Sequence, residues 1–222
     1  MEKISLIEKQ AQENLKLAQH EKEILKKSKL MAKSEIQRAK ARQILLKNEY
    51  NVSKLKLELA EEKKKLAEEK NKIKNGGILQ FSDEELKMEQ DYAIFHEKVS
   101  KIEKQKADIN KKIASIEKEI AENRLKLIKE KMDVAKAREI LGKKQLIYLK
   151  SVKNKTTEEK ISKAEKEYIK QKEKLDKQKL DVLEKEKGIK KLENKLADYK
   201  KEISEKLSER EKIRHPGIII SD

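Results

Sequence analysis

The sequence predicts an all-α chain folded as an elongated antiparallel coiled-coil hairpin, and three observations carry that prediction. Charged residues make up 45% of the 222 residues and hydrophobic ones 36%, with a single proline. An ordinary globular domain is about 25% charged and about half apolar, so a thick core cannot be filled here, whereas a narrow heptad seam needs few apolar residues. Apolar residues recur every seven positions over long stretches, which disorder does not produce. The only paired glycines, Gly76 and Gly77, interrupt that repeat about a third of the way along.

The first helix is expected over 2–74. Counting sevens from Leu17 gives Leu17, Ile24, Met31, Arg38, Leu45, Val52, Leu59, Leu66 and Ile73, eight of nine apolar. A second series runs beside it: Ile4, Ala11, Ala18, Leu25, Ala32, Ala39 and Leu46. The expectation is that these stretches zip onto the following helix along a shared apolar stripe.

The turn is expected over 75–82. Gly76 suits the left-handed residue that follows a helix C-terminus, where a Cβ would clash. Ser82 and Glu85 have the spacing of a capping box, Phe81 and Leu86 that of a hydrophobic staple, and Asp83 and Glu84 sit where the helix dipole favours acid.

The second helix is expected over 83–154, with a 3-4 pattern that includes Tyr92, Phe95, Ile102, Ile109, Ile113, Ile116 and Ile120 and is interrupted by Lys106, Asn123 and Glu130. Polar residues in a seam cost stability and can fix register. Near 141–157 the pattern weakens, then resumes one residue out of phase at Ile161, Tyr168, Leu175, Val182, Ile189, Leu196 and Ile203. Thr156 and Glu159 have capping-box spacing, but no glycine pair or proline lies there. An internal repeat bears on the same point: EKISLIEKQ (2–10) matches EKVSKIEKQ (97–105), and AKARQIL (39–45) matches AKAREIL (135–141). The first-copy segment matching 153–157 is LELAE, which is helical in character. The expectation is therefore a helical 157–214 that continues helix two, straight or slightly bent, with a fold-back as a third helix as the alternative. Residues 1–214 then form one elongated domain, followed by a tail over 215–222.

Two helices of this length each measure on the order of 110 Å, and a loop of about eight residues makes them antiparallel neighbours. Facing residue numbers should add to roughly 157. That register lays 22–34 beside 123–135, within two basic runs. The candidate contacts for phosphate backbone or anionic lipid are Lys26, Lys27, Lys29, Lys33, Arg124, Lys126, Lys129 and Lys131, against a formal net charge of +16. Only six of the 58 basic residues are arginine, the usual reader of phosphates and bases. A solvated face of i,i+4 Glu–Lys pairs therefore stands as the simpler account. The triplet Ile218, Ile219 and Ile220 after Pro216–Gly217 is a candidate partner-docking tail, able to add a strand to a sheet edge or fill a pocket.

Chemistry has little to work with. His20, His96 and His215 are isolated, there is no cysteine, and Gly142–Lys143 lacks the preceding glycine of a phosphate loop. Carboxylates are interleaved with lysines on exposed faces, with no burial to raise their pKa values. No catalytic residue, cofactor, metal or small-molecule substrate is expected. The functional expectation is a non-enzymatic structural protein: a spacer, scaffold or assembly adaptor that recruits a protein partner or a second copy through its heptad seams. The alternatives are a basic coiled coil that binds nucleic acid or an anionic membrane surface, and an export or assembly chaperone that grips client helices. With no signal-like apolar run in MEKISLIEKQ and no stretch of about 20 apolar residues, a cytoplasmic location is expected.

Overall fold

The computed structural model describes residues 2–75 and 82–216, with side chains over 5–73 and 82–216. Among these residues it comprises three helices and no strand: α1 (Glu2–Asn75), α2 (Asp83–Lys153) and α3 (Glu158–Glu211). Gly76, Gly77 and Phe81 of the expected turn lie outside the described residues.

The start of α2 follows from its first five residues. The Ser82 amide donates to Glu85 Oε2 at 3.1 Å, and the Glu85 amide donates to Ser82 Oγ at 3.2 Å. Each side chain thus satisfies an amide that the helix leaves without a partner. Asp83, Glu84 and Glu85 occupy the first turn, and Lys150 and Lys153 the last, both favourable to the helix dipole.

The structure corrects the expectation of an unbroken helix through 153–157. α2 ends at Lys153 and α3 begins at Glu158 as a separate, folded-back helix. The Thr156 amide donates to the Ser151 carbonyl and the Lys155 amide to the Val152 carbonyl, both at 3.2 Å. Lys155 has φ 47°. This is a Schellman closure with lysine in the left-handed position where glycine is usual. Thr156 does not cap α3; its hydroxyl donates back to the Ser151 carbonyl at 3.1 Å. The first bond of α3 runs from the Ile161 amide to the Thr157 carbonyl. At its far end α3 stops at Glu211, so Arg214 lies beyond the helix rather than in its last turn.

The chain divides into two compact units. In the first (1–37 and 119–193), α1 runs antiparallel to α2: Glu8 pairs with Lys153, Glu21 with Arg138 and Lys22 with Glu139. α3 returns antiparallel along α2 through Lys144–Glu167, Lys131–Glu186 and Arg124–Glu193, and Tyr148 stacks on Tyr168. The polar seam residue Glu130 is paired with Lys185 of α3. In the second unit (38–118 and 194–222), Arg42 pairs with Glu117, Lys64 with Glu97 and Lys70 with Glu89, while Arg210 of α3 reaches Glu103 at 3.5 Å. The ion-paired α1 and α2 residues add to about 160, close to the expected register. In each unit α2 lies between α1 and α3 and supplies at least half of the core. Its share of the ten buried apolar residues is five in the first unit and seven in the second.

The seam itself differs from the expected one. The row from Leu17 to Ile73 is not buried, and all its apolar members are 44–67% exposed. The second series is the one that packs. In the first unit Ala11, Ala18 and Ala32 are buried and Leu25 is half-buried, while α2 buries Ile120, Ala121, Ala135, Ala137 and Leu149. In the second, Ser53, Ala60 and Ala67 are buried and Leu46 is half-buried, while α2 buries Leu86, Ala93, Ala107, Ile109, Ile113, Ala114 and Ile116. Ala11, Ala18, Ala114 and Ala135 are 0% exposed. Small residues let the helix axes approach, so backbone atoms supply the dispersion contacts that Leu side chains supply elsewhere. At Gly142 the two helices approach closely: a Cβ there would stand 2.9 Å from Leu15 Cγ and 3.4 Å from the Ala11 carbonyl oxygen.

Candidate functional site

The structure sorts the eight candidate cations into two kinds. Arg124 and Lys131 are committed to α3, at 2.8 Å from Glu193 and 2.7 Å from Glu186. Lys26, Lys27 and Lys33 on α1 and Lys126 and Lys129 on α2 are exposed, and Lys29 is half-buried. None of these six makes an ion pair among the described residues. The two basic runs are therefore not one continuous unpaired patch; α3 neutralises part of the α2 run. This could not be read from a hairpin register alone, because it depends on α3 folding back.

Other charged side chains act as stitching between helices. Glu139 accepts from both Lys143 and Lys22, each at 2.7 Å. The hydrogen bonds from Lys143 and then Lys22 hold its carboxyl at about 2, far below the ordinary value. That direction suits a permanent anion and is opposite to the raised pKa of a general acid. Lys64 is held above the ordinary lysine value by the hydrogen bond it donates to Glu97, and Lys112 by the one it donates to Asp108 within α2. Among the described residues no group of three His, Asp or Glu side chains could hold a metal ion, and no helix is long and apolar enough to cross a membrane.

Of the histidines, His215 is not isolated. Its ring lies edge-on to Tyr92 and Phe95, with centroids 5.2 and 4.8 Å away, so the segment after α3 is pinned to the start of α2. The candidate docking residues Ile218, Ile219 and Ile220 lie outside the described residues.

The surface feature with the largest physical consequence is the outer face of α1. In the first unit it carries Leu17, Ile24 and Met31; in the second, Leu45, Val52, Leu59, Leu66 and Ile73, with Ile44 and Leu55 beside them, all exposed. Isolated exposed leucines need no explanation, but a repeating row does. In the first unit this row borders an open groove of about 500 Å³ whose floor is Ile24, Leu25, Val134, Val182 and Leu183, rimmed by Glu21, Lys131, Arg138 and Lys179. The row was visible in the sequence; its exposure was not, because a seven-residue repeat says which residues share a face and not what covers it. Comparison with known proteins leaves this reading to stand on its own residues: the sequence matches no protein-family model and no curated protein.

Proposed function

We propose that this chain is a non-enzymatic structural protein of the coiled-coil type, a helical spacer and assembly scaffold that engages protein partners through apolar heptad rows. The observation that carries this reading is the exposed seven-residue row on α1, outside a seam already closed by small residues. A helix whose inner seam is complete has no intramolecular use for a second apolar row. The ion pairs linking α2 to α1 and to α3 support a molecule built to hold its shape.

The nucleic-acid or membrane reading draws on one observation: Lys26, Lys33, Lys40, Lys47 and Lys54 repeat at seven-residue spacing on exposed positions of α1. Such a ladder attracts phosphate without reading sequence, and its binding falls steeply with salt. Two experiments separate the readings. Hydrogen exchange on the isolated protein should show all three helices protected, where a client-gripping chaperone would leave α3 exchanging rapidly until a client is added. Filter binding with duplex and single-stranded DNA, and co-sedimentation with anionic vesicles, should show no retention near physiological salt. Rapid exchange across α3, or retention that survives physiological salt, would refute the scaffold assignment.

A further inference from the structure

We infer that the groove of the first unit is the seat of an acidic amphipathic helix from a partner protein. This rests on the scaffold reading and deepens it by naming what the surface takes. Every residue that carries it lies in the first unit.

The groove is longer than one cavity. Beside the stretch of about 500 Å³ lined by Ile24, Val134 and Leu183 lies a second of about 280 Å³ lined by Met31, Ala32 and Leu127. Met31 and Ala32 stand seven residues after Ile24 and Leu25 on α1, and Leu127 stands seven before Val134 on the antiparallel α2. The two stretches therefore share one face. Glu21 and Glu35 are the first and last α1 residues that line it, a run of about 21 Å at the helical rise per residue.

The shape calls for a helix. In this unit α1 and α3 both run antiparallel to α2 and hence parallel to each other, with Val134 of α2 between Ile24 and Leu183. The ridges of a fourth helix would repeat along the groove as its lining does. Its amides and carbonyls would bond internally, whereas an extended segment over the same apolar walls would leave its own unpaired. A nucleic-acid strand would set phosphates on that apolar lining, at a cost in desolvation.

Charge fixes the sign of the partner. On α3 the residues three, four and seven positions from Leu183 are Asp176, Lys179, Leu180, Glu186, Lys187 and Lys190. Both acids are engaged within the chain, Asp176 by Lys179 and Glu186 by Lys131. Lys187 and Lys190 are exposed and make no ion pair among the described residues. The same count around Ile24 gives Leu17, His20, Glu21, Lys27, Ser28 and Met31. Glu21 is held by Arg138, which leaves the exposed Lys27. Against these three lysines the lining has one unpaired acid among the described residues, Glu35, at its far end. The unit as a whole holds 31 lysines and arginines and 21 acidic residues. Each of the three helices is itself net basic, so a second copy laid in the groove would bring like charge, which selects against it.

The test uses two fluorescein-labelled helical peptides of about three heptads, with leucine at the first and fourth positions of each. One carries glutamate at the flanking positions and the other lysine. Anisotropy with the full chain should show saturable binding of the acidic peptide at micromolar concentrations, and binding of the basic one weaker by about tenfold or more. The double variant Ile24→Glu, Leu183→Glu should weaken the acidic peptide by about tenfold or more, with helicity unchanged because both positions are exposed. Lys187→Glu, Lys190→Glu should weaken it by about threefold to tenfold. Lys170→Glu, Lys174→Glu, an equal change of charge on the side of α3 away from Leu183, should leave it unaltered. Equal binding of the two peptides, or equal loss from both lysine pairs, overturns the inference. So does self-association of the protein that Leu183→Glu abolishes, which would make a second copy the occupant. None of these results touches the exchange and DNA-binding tests of the scaffold reading, so the two fail separately.

Discussion

Neighbouring residues on α1 allow a sharp test of which row holds the fold: Leu17→Ala against Ala18→Leu. Leu17 is 57% exposed and Ala18 0%. Full burial of a leucine side chain stabilises by about 1.5–3 kcal/mol, and folding buries less than half of Leu17. Truncation should therefore cost about 1 kcal/mol or less, offset slightly by the better helix propensity of alanine. Ala18→Leu adds three carbons at a position with no exposed surface, one turn along α1 from Leu15, whose Cγ would stand 2.9 Å from a Cβ at Gly142. Overpacking of a tight contact costs about 1–3 kcal/mol. The larger, more apolar residue should thus be the more harmful one. If the leucine row were the seam the order would reverse, with Leu→Ala costing about 2–5 kcal/mol. Urea unfolding followed by circular dichroism measures both, at concentrations low enough that the midpoint no longer depends on concentration, which removes any contribution from self-association. A Leu17→Ala loss above about 2 kcal/mol with a harmless Ala18→Leu would refute the assignment of the alanine row as the seam.

Other substitutions probe the ends of helices and the ion pairs. Lys155→Gly should stabilise the protein by about 0.5–1 kcal/mol, because it relieves a left-handed lysine and gives back part of that gain as unfolded-state entropy; differential scanning calorimetry reads this as a raised Tm. Ser82→Ala removes the hydroxyl that accepts from the Glu85 amide and should cost about 1 kcal/mol in urea unfolding. Glu139→Gln tests the doubly bonded carboxylate. Its folded pKa is about 2, below the ordinary 4.5, so its contribution is present above about pH 4.5 and is lost as pH falls toward 2. The Tm gap between native protein and Glu139→Gln should be largest near neutrality and close over that range, with a size of about 1 kcal/mol or less, as expected for side chains near the surface. Finally, His215→Ala should free the segment after α3 and appear as faster hydrogen exchange there, with α1 unchanged.

Much of this molecule could be read from residue spacing. Helix class follows from the seven-residue repeat, because only a helix of about 3.5 residues per turn keeps such residues on one face. The start of α2 follows from Ser82 and Glu85, whose capping is a local interaction needing no other part of the chain. The α1–α2 register was also within reach, since equal helices on either side of a short turn leave little freedom. The end of α2 was not. Its closure uses Lys155 in a conformation that lysine rarely adopts, so no residue type signalled it, and the helical repeat copy at 57–61 pointed the other way.

The candidate surface shows the same division more clearly. Two adjacent rows of α1, one leucine-rich and one alanine-rich, both repeat every seven residues, and spacing establishes each of them as a face. Spacing cannot say which face turns inward, because that depends on the row presented by the helix opposite. α2 presents buried alanines and Gly142 among its larger buried residues, and closeness of backbones then outweighs the larger apolar area of the leucines. The fold-back of α3 settled the rest: it placed Glu186 and Glu193 against Lys131 and Arg124, closing off cations that the chain order alone left free.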